Sequence, residues 1–126
     1  MKNIWILICM GILIIDDNEA ITTMLAKFFK LEGIECTVSN SGQSGLDMIQ
    51  NDDWENIILD LTMPEFSGYN VLEKLKDSNT EKIKNIIIFT ATEITEEEME
   101  ELKDKGVKGV VRKPIELDYL LKIVKG

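Results

Sequence analysis

Four strand-length apolar runs divide the chain, and polar residues follow each of them. The runs are GILII (residues 11–15), IIL (57–59), IIIF (86–89) and VKGVV (107–111). Apolar residues at helical spacing come after each run. Strands that alternate with helices predict a parallel sheet with right-handed crossovers and helices on both faces. The pattern therefore predicts an α/β fold.

A fifth, short strand at residues 35–39 completes the predicted set of strands. The strands are expected at 11–15, 35–39, 56–60, 85–90 and 107–112, and the helices are indicated by the spaced apolar residues Ile21 to Phe29, Leu46 and Ile49, Val71 to Leu75, a capping box at Thr95 to Glu98, and Leu117 to Val124. Five βα units predict a flavodoxin-like three-layer sandwich with the strand order 2-1-3-4-5.

Length and composition narrow the classes of function. The chain has 126 residues, which suits one domain, and a net charge of −9 that disfavours direct nucleic-acid binding. It contains no histidine, which excludes histidine-based acid–base chemistry and histidine metal ligands. Cys9 and Cys36 are interpreted as buried reduced thiols of a cytoplasmic protein.

Residues 1–10 form an apolar lead ahead of the expected domain at residues 11–126. The apolar stretch from Ile4 to Ile15 is too short to cross a bilayer, and it runs into Asp16 and Asp17 where a signal peptide would have a small-residue cleavage site. We therefore expect neither membrane insertion nor secretion, and we expect a monomer or a weak dimer.

Chemically active residues end the central strands. Asp16 and Asp17 follow the first strand, Asp60 the third, Thr90 the fourth and Lys113 the fifth. The carboxyl ends of parallel strands meet at one edge of the sheet, where such folds bind ligands. Clustered carboxylates repel one another, and a hard cation such as Mg²⁺ relieves that repulsion while leaving room for a phosphate. Asp60 is then a candidate nucleophile, with Thr90 and Lys113 placed to hold phosphoryl oxygens.

The motifs IIDDN (14–18), LDLTMPEFSG (59–68), FTA (89–91) and KP (113–114) resemble the receiver domain of two-component response regulators, of the single-domain chemotaxis-regulator type. The resemblance covers residues 11–126. It implies that a histidine kinase or a phosphotransfer protein phosphorylates Asp60. It also implies that Thr90 turns toward the phosphoryl group, that Lys113 pairs with it, and that the Lys113–Pro114 bond is cis.

The same resemblance implies a magnesium site. Asp16 and Asp17 would organise Mg²⁺, with Asp17 as the direct ligand, together with Asp60 and the backbone carbonyl of Thr62. The protein would signal by phosphorylation-dependent binding or pass the phosphoryl group on in a phosphorelay. It would be a signalling protein that acts on itself, not an enzyme with a separate substrate.

Two features concern the output. The family often has an aromatic residue three positions before the lysine, and this chain has Val110 there, which does not fit a threonine-to-aromatic relay. The sequence ends soon after the last predicted helix, so we expect a stand-alone regulator that docks through helix four, strand five and helix five. Glu96 to Glu101 make helix four strongly acidic, which fits a partner surface and a solvated helix equally well.

Three other classes of protein are alternatives to this interpretation. An adaptor that is never phosphorylated would have no need of all the pocket residues. A phosphatase of the haloacid dehalogenase type needs a second aspartate two residues after the nucleophile, where Thr62 stands. A flavodoxin needs a phosphate loop after the first strand, where the acidic pair would repel a flavin phosphate.

Overall fold

The computed structural model describes residues 11–91, 93–113 and 117–126, and within them strands and helices alternate as predicted. The elements are β1 (Ile12–Ile15), α1 (Glu19–Leu31), β2 (Cys36–Ser39), α2 (Gly42–Asn51), β3 (Asn56–Leu59), α3 (Gly68–Ser78), a 3₁₀ helix (Thr80–Asn85), β4 (Ile86–Thr90), α4 (Glu96–Asp104), β5 (Gly109–Arg112) and α5 (Leu117–Lys125). The predicted apolar lead at residues 1–10 and the Lys113–Pro114 bond lie outside the described residues.

The sheet confirms the predicted topology. Its five strands are all parallel in the order β2-β1-β3-β4-β5. In the pairing of β1 with β3, Ile15 lies opposite Leu59. The residues that follow these two, Asp16 and Asp60, therefore leave the sheet side by side.

The pleat of the strands sorts the core into two apolar clusters, one on each face of the sheet. One cluster takes Leu13 and Ile15 of β1 and packs against α2, α3 and α4. The other takes Ile12 and Ile14 and packs against α1 and α5, with Leu120 of α5 as a buried member. This division creates the three-layer sandwich, because alternate residues of a strand face opposite sides.

Several element boundaries differ from the sequence-based ones. α2 begins at Gly42, four residues before Leu46, the first of the apolar residues that indicated it, since Ser41 is its N-cap and accepts a hydrogen bond from the amide of Ser44. β5 begins at Gly109 instead of residue 107, although the amide of Lys108 already donates to the carbonyl of Ile86 at 2.7 Å. The 3₁₀ helix before β4 had no periodic signal in the sequence.

Two smaller expectations can also be compared with the structure. The capping box of α4 is present, with the amide of Glu98 donating to Thr95 Oγ1 at 3.1 Å. Cys36 is a free thiol, but it is half-buried and not buried as expected, because β2 is an edge strand. No helix in the described part of the chain is long and apolar enough to cross a bilayer.

Candidate functional site

Three carboxylates meet at the carboxyl edge of the sheet. Asp16, Asp17 and Asp60 each offer an oxygen, and these oxygens lie within 4.8 Å of one another. Asp16 and Asp60 are buried, with 2% and 4% of their surface exposed, whereas Asp17 is exposed. The cluster thus has a dry inner pair and one carboxylate open to solvent.

Backbone contacts hold the two buried aspartates in place. The amide of Asp60 donates to the carbonyl of Ile15 at 3.0 Å, which ties the end of β3 to the end of β1. The Asn40 side-chain amide donates to the carbonyl of Asp16 at 2.8 Å and to Thr22 Oγ1 at 3.2 Å. The acidic pair is therefore anchored to β3, to the end of β2 and to α1.

Lys113 brings a positive charge into the cluster. Its ammonium lies 2.6 Å from Asp16 Oδ2 and 3.4 Å from Asp60 Oδ1, and only 9% of its side chain is exposed. On another side, the ammonium lies 5.7 Å from the centre of the Phe89 ring. The Lys113 ammonium therefore lies closer to Asp16 than to Asp60.

Asp60 is the less completely satisfied of the two buried carboxylates. Asp16 accepts from the amide of Asn18 at 3.0 Å and from Lys113 at 2.6 Å, whereas Asp60 Oδ1 accepts from the amide of Thr62 at 3.4 Å and meets Lys113 at 3.4 Å. Burial, and after it the charge of Asp16, raises the pKa of Asp60 to about 6, although Lys113 and the Thr62 amide act in the opposite direction. Burial and the neighbouring negative charge both disfavour the ionised form of this carboxyl group.

The β3–α3 loop approaches Asp60 closely. The amide of Gly68 donates to the carbonyl of Leu61 at 3.0 Å, and a Cβ at Gly68 would overlap the carbonyl oxygen of Asp60. Only glycine fits there, so the first turn of α3 packs directly on the residue after β3. This loop also carries Thr62, whose amide reaches the Asp60 carboxylate.

Thr90 is fully buried at the end of β4, and its carbonyl accepts a hydrogen bond from the amide of Lys113 at 2.9 Å. The structure therefore brings Asp16, Asp17, Asp60 and Lys113 together as the sequence predicts, and it joins Thr90 to the site through the backbone. Sequence reasoning missed Asn40 and Phe89. Asn40 follows the end of β2, so the strand-end rule that found the aspartates could have found it.

The ligand set suits a hard divalent cation. Mg²⁺ prefers oxygen ligands, binds through a few carboxylates and keeps several waters. The three acidic side chains supply oxygen only, and the exposed Asp17 leaves one side of the cluster open to solvent. Burial, and after it the charge of Asp16, raises the pKa of Asp60, and a bound cation would offset the second of these causes, the repulsion between the carboxylates.

Comparison with known proteins gives a consistent result. The family model for the response regulator receiver domain matches residues 12–125. The uncharacterized transcriptional regulatory protein YkoG of Bacillus subtilis is 31% identical over 110 residues, which are 87% of this chain and 47% of that protein. The regulatory protein AtoC of Escherichia coli is 32% identical over 114 residues, 90% of this chain and 24% of that protein. The chain thus spans less than half the length of these relatives.

Two solved structures are similar to this chain in both fold and sequence. A receiver domain of a Francisella response regulator superposes with a TM-score of 0.81 at 28% identity, covering 91% of this chain and 93% of that one. The chemotaxis protein CheY4 of Vibrio cholerae gives a TM-score of 0.79 at 26% identity, covering 93% of this chain and 98% of that one.

Proposed function

The chain belongs to the receiver-domain family of two-component response regulators, and on that premise we propose that Asp60 accepts a phosphoryl group from a histidine kinase or a phosphotransfer protein. The observation that carries the proposal is the position of Asp60. It is a buried carboxylate at the end of a central strand, with two further carboxylates and one ammonium around it.

The transfer conserves atoms and charge. An oxygen of the Asp60 carboxylate attacks the phosphorus of a phosphohistidine, the new O–P bond forms as the N–P bond breaks, and the imidazole leaves and takes up a proton from water. Positioning and charge stabilisation supply most of the catalysis in such a transfer. The Lys113 ammonium needs only a short movement away from Asp16 to reach the phosphoryl oxygens, because it already lies 3.4 Å from Asp60 Oδ1. We also propose that the Thr90 hydroxyl turns toward the same phosphoryl oxygens.

We further propose that the acidic cluster holds Mg²⁺ through Asp17, Asp60 and the Thr62 carbonyl, with Asp16 in support. When bound, the cation offsets the negative charge of the carboxylates and the phosphoryl group. Asp17 suits direct ligation because it is the exposed member of the cluster, while both oxygens of Asp16 are already engaged by Asn18 and Lys113.

The proposed output is phosphorylation-dependent binding of a partner, or onward transfer of the phosphoryl group, in the cytoplasm. The face formed by α4, β5 and α5 is the proposed docking surface. Five of the residues from Glu96 to Glu101 are glutamates, which favours a partner with basic side chains. Action as a stand-alone regulator stays a prediction, since the curated relatives are longer proteins.

Uptake of phosphate tests the proposal. The protein is incubated with Mg²⁺ and a small phosphodonor such as acetyl phosphate, and the intact mass is measured. We expect the gain of one phosphoryl group, and no gain in Asp60→Asn or in the presence of EDTA. Asp77→Asn changes an exposed aspartate of α3 and should leave the uptake unchanged.

The alternative of a receiver-like adaptor predicts a different result. If the wild type takes up no phosphate from any small donor or from histidine kinases, the domain acts without phosphorylation. If uptake persists in Asp60→Asn at the wild-type rate, another residue is the acceptor and the assignment is wrong.

A further inference from the structure

We propose that Phe89 is a positioning residue for the phosphoryl transfer: the face of its ring holds the Lys113 ammonium between Asp16 and Asp60. The Lys113 ammonium lies 5.7 Å from the ring centre, within the distance at which a cation is attracted to the negative face of an aromatic ring.

The strand pleat explains why these groups meet. Phe89 belongs to the core cluster on the α1 and α5 face of the sheet, together with Ile14, Ile58 and Val111. Asp16, Asp60 and Lys113 lie two positions after Ile14, Ile58 and Val111, directly beyond the ends of their strands. The contact of the Lys113 ammonium with the Phe89 ring places that ammonium next to the cluster. Phe89 is thus the apolar residue that lies beneath the charged groups. Thr90, the next residue of β4, faces the opposite side of the sheet.

Burial makes the ring important for the ammonium. Phe89 is 1% exposed, and the Lys113 side chain is 9% exposed. An ammonium with so little access to water needs other partners around it. Asp16 and Asp60 supply two of them, and the ring face supplies a third that has no proton to exchange and no oxygen to offer a metal ion.

The ring also fits a moving ammonium. During phosphoryl transfer Lys113 has to loosen its 2.6 Å contact with Asp16 and approach oxygens on Asp60. A hydrogen-bond acceptor beneath it would fix one direction, but an aromatic face has no single acceptor position and tolerates the shift. Phe89 therefore keeps the charge in the site while its carboxylate partner changes.

A series of ring-fluorinated phenylalanines at position 89 tests the contact. One, two or three fluorines withdraw charge from the ring face stepwise while the ring keeps its shape. We measure the phosphorylation rate with acetyl phosphate and Mg²⁺, and separately the free energy of unfolding in EDTA. Each is measured with Lys113 present, and unfolding is also measured in Lys113→Met, where no cation faces the ring.

The proposal predicts a graded loss. The trifluorinated protein should phosphorylate about three- to tenfold more slowly than the wild type, with intermediate rates between. Its unfolding free energy should fall stepwise with Lys113 and stay nearly flat in Lys113→Met. Equal slopes in the two backgrounds would assign the effect to packing alone, and a flat series with Lys113 present would likewise overturn the proposal.

A second measurement reads the geometry without any activity. The ring current of Phe89 should move the NMR signals of the Lys113 ε-methylene protons upfield, and Phe89→Leu should return them to ordinary values. Unshifted signals in the wild type would contradict the contact. The kinetic readout rests on the proposed function, whereas the unfolding and NMR readouts do not; failure of phosphorylation in every variant would remove the function and leave the contact to be decided by them.

Discussion

At the scale of single residues, the site is an unequal pair of buried carboxylates. Asp16 has short contacts to the Asn18 amide and to Lys113, whereas both contacts of Asp60 measure 3.4 Å. Asp16 is therefore held by the shorter contacts, and Asp60 by longer ones that leave its oxygens more accessible for a new bond. This inequality is why Asp60, and not Asp16, suits the role of nucleophile.

The pKa of Asp60 leads to a pH-dependent prediction. Its folded pKa is about 6, above the value of roughly 3.9 for a free aspartate. The folded state therefore has its full stability below the unfolded pKa and loses part of it as the pH rises through the folded value. Asp60→Asn has no charge to bury, so in EDTA its Tm should exceed that of the wild type at about pH 8, and the two should converge toward about pH 4.

Thermal unfolding across that range measures the difference, with Asp77→Asn as an exposed control that should show no such divergence. A wild type that is more stable than Asp60→Asn at about pH 8 in EDTA would show that Lys113 outweighs burial and Asp16.

At the scale of elements, short loops carry the site and the helices hold those loops in place. The β3–α3 loop is fixed at Gly68 against Asp60 and Leu61. The end of α2 is fixed by Lys82, whose ammonium donates to the carbonyls of Ile49 at 2.6 Å and Asp52 at 2.8 Å. The Gly68 contact shapes the site directly, whereas the Lys82 contacts stabilise the helical layer that contains α2.

Gly68→Ala should damage the site more than the fold. The added methyl group overlaps the carbonyl oxygen of Asp60, so the end of β3 has to move. Displacement by even about 1 Å can cost a factor of about 100 in rate, and we expect phosphate uptake to slow by about that factor and Mg²⁺ affinity to fall. Gly106→Ala is the control, because its positive φ of 97° makes alanine strained although nothing lies within 4 Å.

Uptake kinetics and magnesium titration distinguish the two variants. Both should be less stable than the wild type, but only Gly68→Ala should lose uptake and affinity. Similar losses in Gly106→Ala would mean that stability alone controls the chemistry.

Lys82→Met should destabilise the fold without entering the chemistry. Methionine keeps an apolar chain of similar length and removes two hydrogen bonds from a charged donor, and the loss should be about 2 kcal/mol in urea unfolding. Lys84→Met is the matched control two residues away, because Lys84 pairs with Glu81 at an exposed position. If Lys84→Met lowered the free energy of unfolding as much as Lys82→Met does, the role of Lys82 in binding the carbonyls at the end of α2 would be contradicted.

At the scale of the whole molecule, the sheet sets the geometry and its carboxyl edge collects the chemistry. β1, β3 and β4 are buried along their whole length, and the sequence indicates them because strands covered on both faces are nearly continuous apolar runs. The strand order and the positions of Asp16, Asp60 and Lys113 follow from that pattern and from the parallel arrangement.

Other features could not be predicted because they depend on distant contacts. The 3₁₀ helix has no periodicity of its own and is tied to α2 through Lys82. Phe89 looked like one more apolar strand residue until the fold placed it under Lys113. The half-buried state of Cys36 follows from the edge position of β2, which burial propensity alone does not encode.

The domain boundary gives a prediction for the whole chain. The described sheet begins at Ile12, and the matching family model begins at the same residue. We expect a protein that starts at Met10 to fold and to take up phosphate at the full rate. It should also be monomeric, because the removed apolar residues promote self-association when they are exposed. Analytical ultracentrifugation and phosphate uptake of both proteins test this, and a shortened protein that unfolds or loses uptake would show that residues 1–9 belong to the working domain.

The central claim is that Asp60 carries the phosphoryl group, and chemical trapping tests it most directly. Borohydride reduces an aspartyl phosphate to homoserine, which marks the modified position permanently. The protein is phosphorylated with Mg²⁺ and a small donor, reduced, digested and sequenced by mass spectrometry. We predict homoserine at position 60 and unmodified aspartate at Asp16 and Asp17. Homoserine at either of those two positions, or none in a protein that has gained phosphate, would contradict the account.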